Sequence, residues 1–273
     1  EPWLAQAATD AGSLPRLTAT LRRSLSAERT HLVLQQAALR ARAVEKFSLA
    51  SKMFFTPRAL QQATDHWIAA YKAQRFPPGQ PVADLCCGIG GDLLALAARG
   101  TTFGFDRDPV ALRLAHANAE ANKFGHSLTL QCLDLATDSD DLPCNAAAVH
   151  IDPDRRPAEL RTTRLNQFAP SLDVLDRLRS SYGNLAVKLA PASDVPAAWR
   201  DAEREWISRR GECRQQVIWF GDLARAPGLR RATRVDNEGY QTLVGAGDVQ
   251  PVASVTHVGR RIHEPDPAVI AAG

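Results

Sequence analysis

The stretch from Pro81 to Asp92, PVADLCCGIGGD, limits the possible folds of this 273-residue chain more than any other. Val82, Ala83 and Leu85 are apolar, three glycines (Gly88, Gly90, Gly91) follow, and Leu93, Leu94, Leu96 and Ala97 then recur at helical spacing. That order predicts a strand, a tight turn and a helix. A glycine turn at a helix start brings bare backbone N–H groups close to a ligand, at the positive end of the helix dipole. The turn therefore predicts a site for a nucleoside cofactor, and the chain is read outward from it.

Downstream, strand and helix signals alternate. Thr102–Asp106 reads as a strand. Asp108-Pro109 caps a helix running to about Phe124, and Leu128–Leu133 is a strand ending at Asp134. Ala146–Ile151 is a strand ending in Asp152-Pro153-Asp154-Arg155-Arg156. Leu172, Leu175 and Leu178 mark a helix, Leu185–Leu189 a strand and Trp199–Ile207 a helix. Gln215–Phe220 and Ala232–Val235 read as a closing pair of strands joined by a Gly/Pro loop. Repeated strand–helix–strand units imply a sheet with helices on both faces. The expected fold is α/β and doubly wound, mostly parallel with an antiparallel last strand. Ligands of such sheets bind at the carboxyl ends of the strands, at the switch point beside the first strand.

Residues 1–78 read as a small helical domain, 79–245 as the sheet domain and 246–273 as an extension. Ser26 caps a helix with Glu28 in its first turn and Leu32, Gln36, Leu39, Ala43 and Phe47 at spacings of three to four, and Leu17, Leu21 and Leu25 suggest a shorter one. Thr56-Pro57 is a further helix start, with Leu60, Ala63, Trp67 and Tyr71 as one apolar stripe. Phe54 and Phe55 just before it are either a hydrophobic lead-in or an aromatic lip over the cofactor. Residues 1–55 hold eight Lys/Arg against four acids, which is either a solvated face or a nucleic-acid contact. Arginine dominates the basic residues, 28 against 5 lysines, which fits either base composition or phosphate recognition. The five cysteines contain no CxxC pair, so no zinc site is expected, and a reducing, cytoplasmic compartment fits their odd number. No apolar run approaches the ~20 residues of a membrane helix.

The strand-end acids choose between cofactors. A nicotinamide site wants G-x-G-x-x-G, but Leu93 stands at the third glycine position. The pattern is instead acid-x-Cys-x-Gly-x-Gly, from Asp84 to Gly90. Asp106 can accept both ribose hydroxyls and Asp134 an adenine amine. Three carboxylates suit a donor-rich ligand with a cationic centre, S-adenosylmethionine, and Asp84 would repel a pyrophosphate. His150, on a buried strand, reads as a satisfied core histidine. Cys86 and Cys87 read as packing residues.

Asp84 to Asp92, Asp106 and Asp134 resemble the consecutive cofactor motifs of class I S-adenosylmethionine-dependent methyltransferases, over about residues 80–235. DLCCGIGGD followed by GFDRDPVALRLAHANAE is similar to RNA methyltransferases of the trimethylguanosine-synthase (cap guanine-N2) type. The closest likeness is to bacterial methyltransferases with a THUMP-like tail, whose start HEPDPAVIAAG resembles; that implies a chain truncated at its C-terminus. The resemblance implies a Rossmann-like methyltransferase fold. It implies cofactor contacts from Asp84, Cys86, Gly88, Gly90, Asp106, Arg107, Asp134 and Leu135, and from Thr56 and Pro57. It implies acceptor chemistry at Asp152, Pro153, Asp154 and Arg155, substrate contacts from Phe54, Phe55, Arg155 and Arg156, a tRNA or rRNA partner, and no metal. One departure stands out. Amino-directed relatives carry Asp/Asn-Pro-Pro-aromatic after the fourth strand, whereas this chain has Asp152-Pro153-Asp154-Arg155. Asp152 and the Pro153 carbonyl can still accept from an exocyclic amine. Arg155 and Arg156 either bind phosphate or stack on a base, or pair with Asp154 or Glu159 in a surface turn. A non-catalytic RNA-binding module, and a methyltransferase for a small molecule or protein, remain the competing readings.

Overall fold

The structure, a computed structural model, describes residues 2–9, 14–137, 142–154, 163–164, 167–247 and 264–273. Its strands are β1 (Val82–Leu85), β2 (Thr102–Asp106), β3 (Leu128–Cys132), β4 (Ala148–Ile151), β5 (Leu185–Leu189), β6 (Glu203–Arg209), β7 (Glu212–Trp219), β8 (Arg230–Val235) and β9 (Tyr240–Gly245). They form one sheet in the order β3-β2-β1-β4-β5-β7-β6-β8-β9. The first five in that order are parallel, and the order reverses between β1 and β4, which makes the switch point. This is a Rossmann-like sheet preceded by helices.

The far half of the sheet departs from the expected pattern. β7 runs antiparallel to β5 and β6, β8 returns parallel to β6, and β9 adds an antiparallel edge strand that the sequence reading missed. β7 and β8 are not neighbours, because β6 lies between them. The helix expected over Trp199–Ile207 is instead one turn of tight helix, Ala197–Trp199, followed by strand β6. The period there is two. Glu203 and Glu205 point to one face, where Arg75 meets both, while Trp206 packs on the other against Ala232 and Ala268.

The helices before the sheet are α1 (Pro2–Thr9), α2 (Leu14–Leu21), α3 (Ala27–Ala43), α4 (Pro57–Gln62) and α5 (His66–Ala73). Within and after the sheet come α6 (Leu93–Ala97), α7 (Pro109–Ala121), α8 (Leu172–Tyr182) and α9 (Pro267–Ala272). Ser26, Thr56 and Asp108 cap α3, α4 and α7 through backbone N–H groups at Arg29, Ala59 and Val110. The single stripe expected from Leu60 to Tyr71 is broken into α4 and α5. Ala63 takes an extended ψ of 136°, and Asp65 restarts the helix by accepting from Ile68 N. Leu32 of α3 is exposed, whereas Leu39 and Ala43 are buried.

β1, β4 and β5 are buried on both faces. Leu85, Ile151 and Val187 pack on one side with Leu175 and Leu178 of α8. Val82, Ala148 and Ala186 pack on the other with Ile68 and Tyr71 of α5. The front helices share a core with the sheet domain: Leu39, Phe47, Phe55 and Leu60 cluster with Ile89, Leu94 and Ala119. Among the described residues no helix is long and apolar enough to cross a membrane. All five cysteines are free.

Candidate active site

The glycine turn after β1 forms as its sequence requires. Gly88 and Gly90 hold φ of 55° and 95°, left-handed values that disfavour a side chain, and Cys86 adopts 57° despite its Cβ. Asp106 at the end of β2 ties the turn down. Its Oδ2 accepts from Gly88 N at 2.8 Å and its Oδ1 from Asp108 N at 2.9 Å. Each oxygen keeps acceptor capacity for a ligand hydroxyl. Burial raises the Asp106 pKa in spite of those two N–H bonds. Asp134, after β3, accepts from Ala136 N at 3.0 Å.

A cleft of about 310 Å³ opens along this edge, within the range of roughly 300–1,000 Å³ usual for small-molecule sites. It is lined by Asp84, Cys86, Gly88, Asp106, Arg107, Asp134 and Leu135. Thr56 lines it from the cap of α4, and Asp152, Pro153 and Asp154 line its far side. Pro57 and Gly90 do not line it. Pro57 opens α4, and a side chain at Gly90 would face Leu94, Leu93 and Ala115. Arg155 and Arg156 lie outside the described residues. The aromatic lip is not formed. Phe55 is fully buried against Phe47, and Phe54 lies under the Arg40 guanidinium with its backbone held by Asn118. The pair is a hydrophobic lead-in to α4 and does not border the cleft.

Seven aspartates and two arginines line the cleft among the described residues. Such walls repel a pyrophosphate and favour a cationic ligand rich in donors. Asp154 is paired at the mouth, with Arg58 of α4 at 3.0 Å and Arg107 at 3.7 Å. Arg58 and Gln62, 3.5 Å from Asp154, had no signal in the sequence beyond their place on a short helix.

Behind the cleft runs a buried polar chain that sequence reasoning missed almost entirely. Alternation along the parallel strands puts Asp84, His150 and Lys188 on one sheet face, on neighbouring strands β1, β4 and β5. His150 Nδ1 lies 2.6 Å from Asp84 Oδ1, and its Nε2 lies 3.2 Å from Lys72 Nζ. Lys72, from α5, pairs with Asp92 at 2.7 Å. Thr64 Oγ1 donates to Asp92 Oδ2 at 2.6 Å and accepts from Lys188 Nζ at 2.8 Å. Lys188 in turn meets Asp152 Oδ2 at 2.5 Å. Burial pushes the Asp84 carboxyl up against the pull of His150. Burial would also raise Asp92, but Lys72, His150 and Lys188 outweigh it and hold Asp92 well below the carboxylate range. His150 is thus a satisfied core histidine. The available signal was a lysine in the otherwise apolar strand LAVKL, since a buried charge requires a partner.

The residues present suit the nucleoside cofactor that the turn implies. A Cβ built at Gly88 meets nothing within 4 Å, so the turn offers open backbone, and buried Asp84 Oδ2 has no hydrogen-bond partner among the described residues. No group of His, Cys, Asp and Glu among them could hold a metal ion.

No family model matches the chain. Two Mycobacterium tuberculosis proteins, from strains CDC 1551/Oshkosh and H37Rv, are each 35% identical to it over 229 residues. Both carry the description of an uncharacterized S-adenosylmethionine-dependent methyltransferase. The match takes in 82% of this chain and 60% of each relative, so the chain spans about three-fifths of their length. A crystal structure of a candidate methyltransferase from Porphyromonas gingivalis W83 superimposes with a TM-score of 0.74 at 17% identity, over 99% of this chain and 71% of that one. That likeness concerns the fold.

Proposed function

We propose that this chain is an S-adenosylmethionine-dependent methyltransferase whose acceptor is a base nitrogen in RNA. The observation that carries the reading is the acid-lined cleft at the switch point, where Asp84, Gly88, Asp106 and Asp134 meet on one side and Asp152 and Pro153 on the other. The two mycobacterial relatives are described as S-adenosylmethionine-dependent methyltransferases, which supports the cofactor part of the reading. When bound, S-adenosylmethionine supplies a methyl group activated as a sulfonium. The chain's own residues hold and orient. Asp106 and Asp134 offer acceptors to the ribose hydroxyls and the adenine amine, and the glycine turn brings backbone close to the nucleoside. Asp152 and the Pro153 carbonyl accept from an exocyclic amine and aim its lone pair. Methyl transfer needs in-line placement and exclusion of water more than a strong base.

The RNA part of the reading is supported by charge. Arg40 and Lys46 are taken up by the fold, but Arg16, Arg22, Arg23, Arg29, Arg42 and Lys52 are exposed on the front segment. A second reading, a small-molecule or protein acceptor, is favoured by the acceptor side itself. Asp154 stands where amino-directed relatives have their second proline and Arg155 where they have the stacking ring, and Asp154 is paired with Arg58 and Arg107.

Calorimetry with S-adenosylmethionine tests the cofactor. Saturable binding is expected, with a loss of at least about tenfold (about 1.4 kcal/mol) in Asp106→Ala, since that change frees the turn as well as removing an acceptor. Absence of binding sinks the enzyme reading. Mass spectrometry of nucleosides from cells with and without the gene tests the acceptor: one modified nucleoside is expected to disappear.

A further inference from the structure

The buried chain behind the cleft ends on the acceptor carboxylate. Lys188 is almost wholly buried, does not line the cleft, and reaches Asp152 Oδ2 at 2.5 Å from the neighbouring strand. Its ammonium is held in turn by Thr64 Oγ1 at 2.8 Å, with Asp92 Oδ2 4.0 Å away. Thr64 is fixed by its own bond to Asp92, and Asp92 by Lys72. Asp152 follows the last residue of β4 and its side chain is partly exposed. A carboxylate with one oxygen engaged from behind presents the other in a defined direction.

We propose that Lys188 is a positioning residue for the reaction. It grips Oδ2 of Asp152 and so aims Oδ1 at the acceptor, braced by Thr64. Lys188 does not line the cleft, and its effect runs through Asp152. The inference rests on the reading of Asp152 as the acceptor-side carboxylate of an RNA methyltransferase. It assigns a catalytic consequence to a lysine that no motif contains.

The test measures transfer of tritiated methyl from S-adenosylmethionine to RNA extracted from cells lacking the gene. Lys188→Met is expected to lower kcat by roughly 10- to 100-fold, the scale of a misplaced reacting group, with half-saturating RNA changed by less than about twofold. The affinity for S-adenosylhomocysteine is expected to stay within about twofold, because the cofactor-side residues are untouched. Lys188→Arg is expected to recover part of the rate. In an Asp152→Asn background, Lys188→Met is expected to cost nothing further, since it acts through the group already changed. Multiplicative losses in that cycle, or an unchanged kcat in the single variant, overturn the proposal. If Lys188→Met does not yield folded protein, Thr64→Val cuts the bond to the ammonium with little change of shape. It is expected to lower kcat in the same pattern, and an unchanged kcat there also overturns the proposal. Wild-type protein that binds S-adenosylhomocysteine but methylates none of this RNA sinks the RNA reading, and the role of Lys188 with it.

Discussion

Gly91 shows how a single residue joins the front of the chain to the cofactor turn. A Cβ there would lie 2.8 Å from Thr64 N and 3.0 Å from Thr64 O, both backbone atoms that cannot swing aside. Gly91→Ala is expected to destabilise the fold by about 1–3 kcal/mol, the usual cost of overpacking, and to push the Thr64 loop off the bonds to Asp92 and Lys188. Denaturant unfolding checks the first effect; the rate of methyl transfer checks the second. The spacing of Asp106 from Gly88 marked it as a ligand carboxylate, and the structure places it in the lining of the cleft. Its second task, pinning the turn through Gly88 N, depends on β2 lying next to β1 and has no trace in the local sequence. Phe54 and Phe55 taught the reverse. Two aromatics before a helix look the same whether they face a ligand or a core, and the packing of Phe47 and Asn118 decided for the core.

At the scale of elements, α4 is held at both ends by residues that border or support the site. Thr56 caps its start. Lys46 closes its end, with Nζ donating to the carbonyls of Leu60, Gln61 and Ala63 at 2.9, 3.1 and 2.8 Å. Burial, helped by the Lys188 charge, pushes the Lys46 pKa from 10.5 down to about 8. The unfolded chain then holds that proton up to its ordinary value, while the folded chain releases it from about pH 8 upward. Stability therefore gains a term that rises between about pH 8 and 10.5. Thermal unfolding across that window is expected to show this rise in the wild type, beyond any slope that Lys46→Met retains. The cap at Thr56-Pro57 was legible because capping is local chemistry. The break between α4 and α5 was not, because the apolar stripe runs through it and only the turn at Ala63 and the cap at Asp65 interrupt it.

Across the whole molecule, a buried charged cluster fastens the front helices to the far half of the sheet. Arg75, just beyond α5, forks onto Glu203 at 2.9 Å through both terminal nitrogens and reaches Glu205 at 3.1 Å. Arg231 of β8 also pairs with Glu203, and Tyr71 and Trp219 donate to Glu205. Burial alone would push the Glu203 carboxyl up, but the bonds from Arg75 and Arg231 outweigh it and hold it at about 2, below the ordinary 4.5. The sign follows: this stabilisation is present above about pH 4.5 and is lost as the pH falls towards 2. Glu203→Gln leaves two arginines short of a carboxylate and is expected to cost about 3 kcal/mol or more near neutral pH. The gap in melting temperature between variant and wild type is expected to narrow below about pH 4. The strand–turn–helix unit, the caps and the strand-end acids could all be read along the chain, because each rests on neighbours within a few residues: glycine's φ, a hydroxyl beside an N–H, an acid closing an apolar run. The order of strands beyond β5, the burial of Phe55 and the chain from Asp84 through Lys188 to Asp152 could not. These depend on which strand lies beside which, and the alternation of side chains turns that adjacency into contacts between residues as far apart as Asp84 and His150.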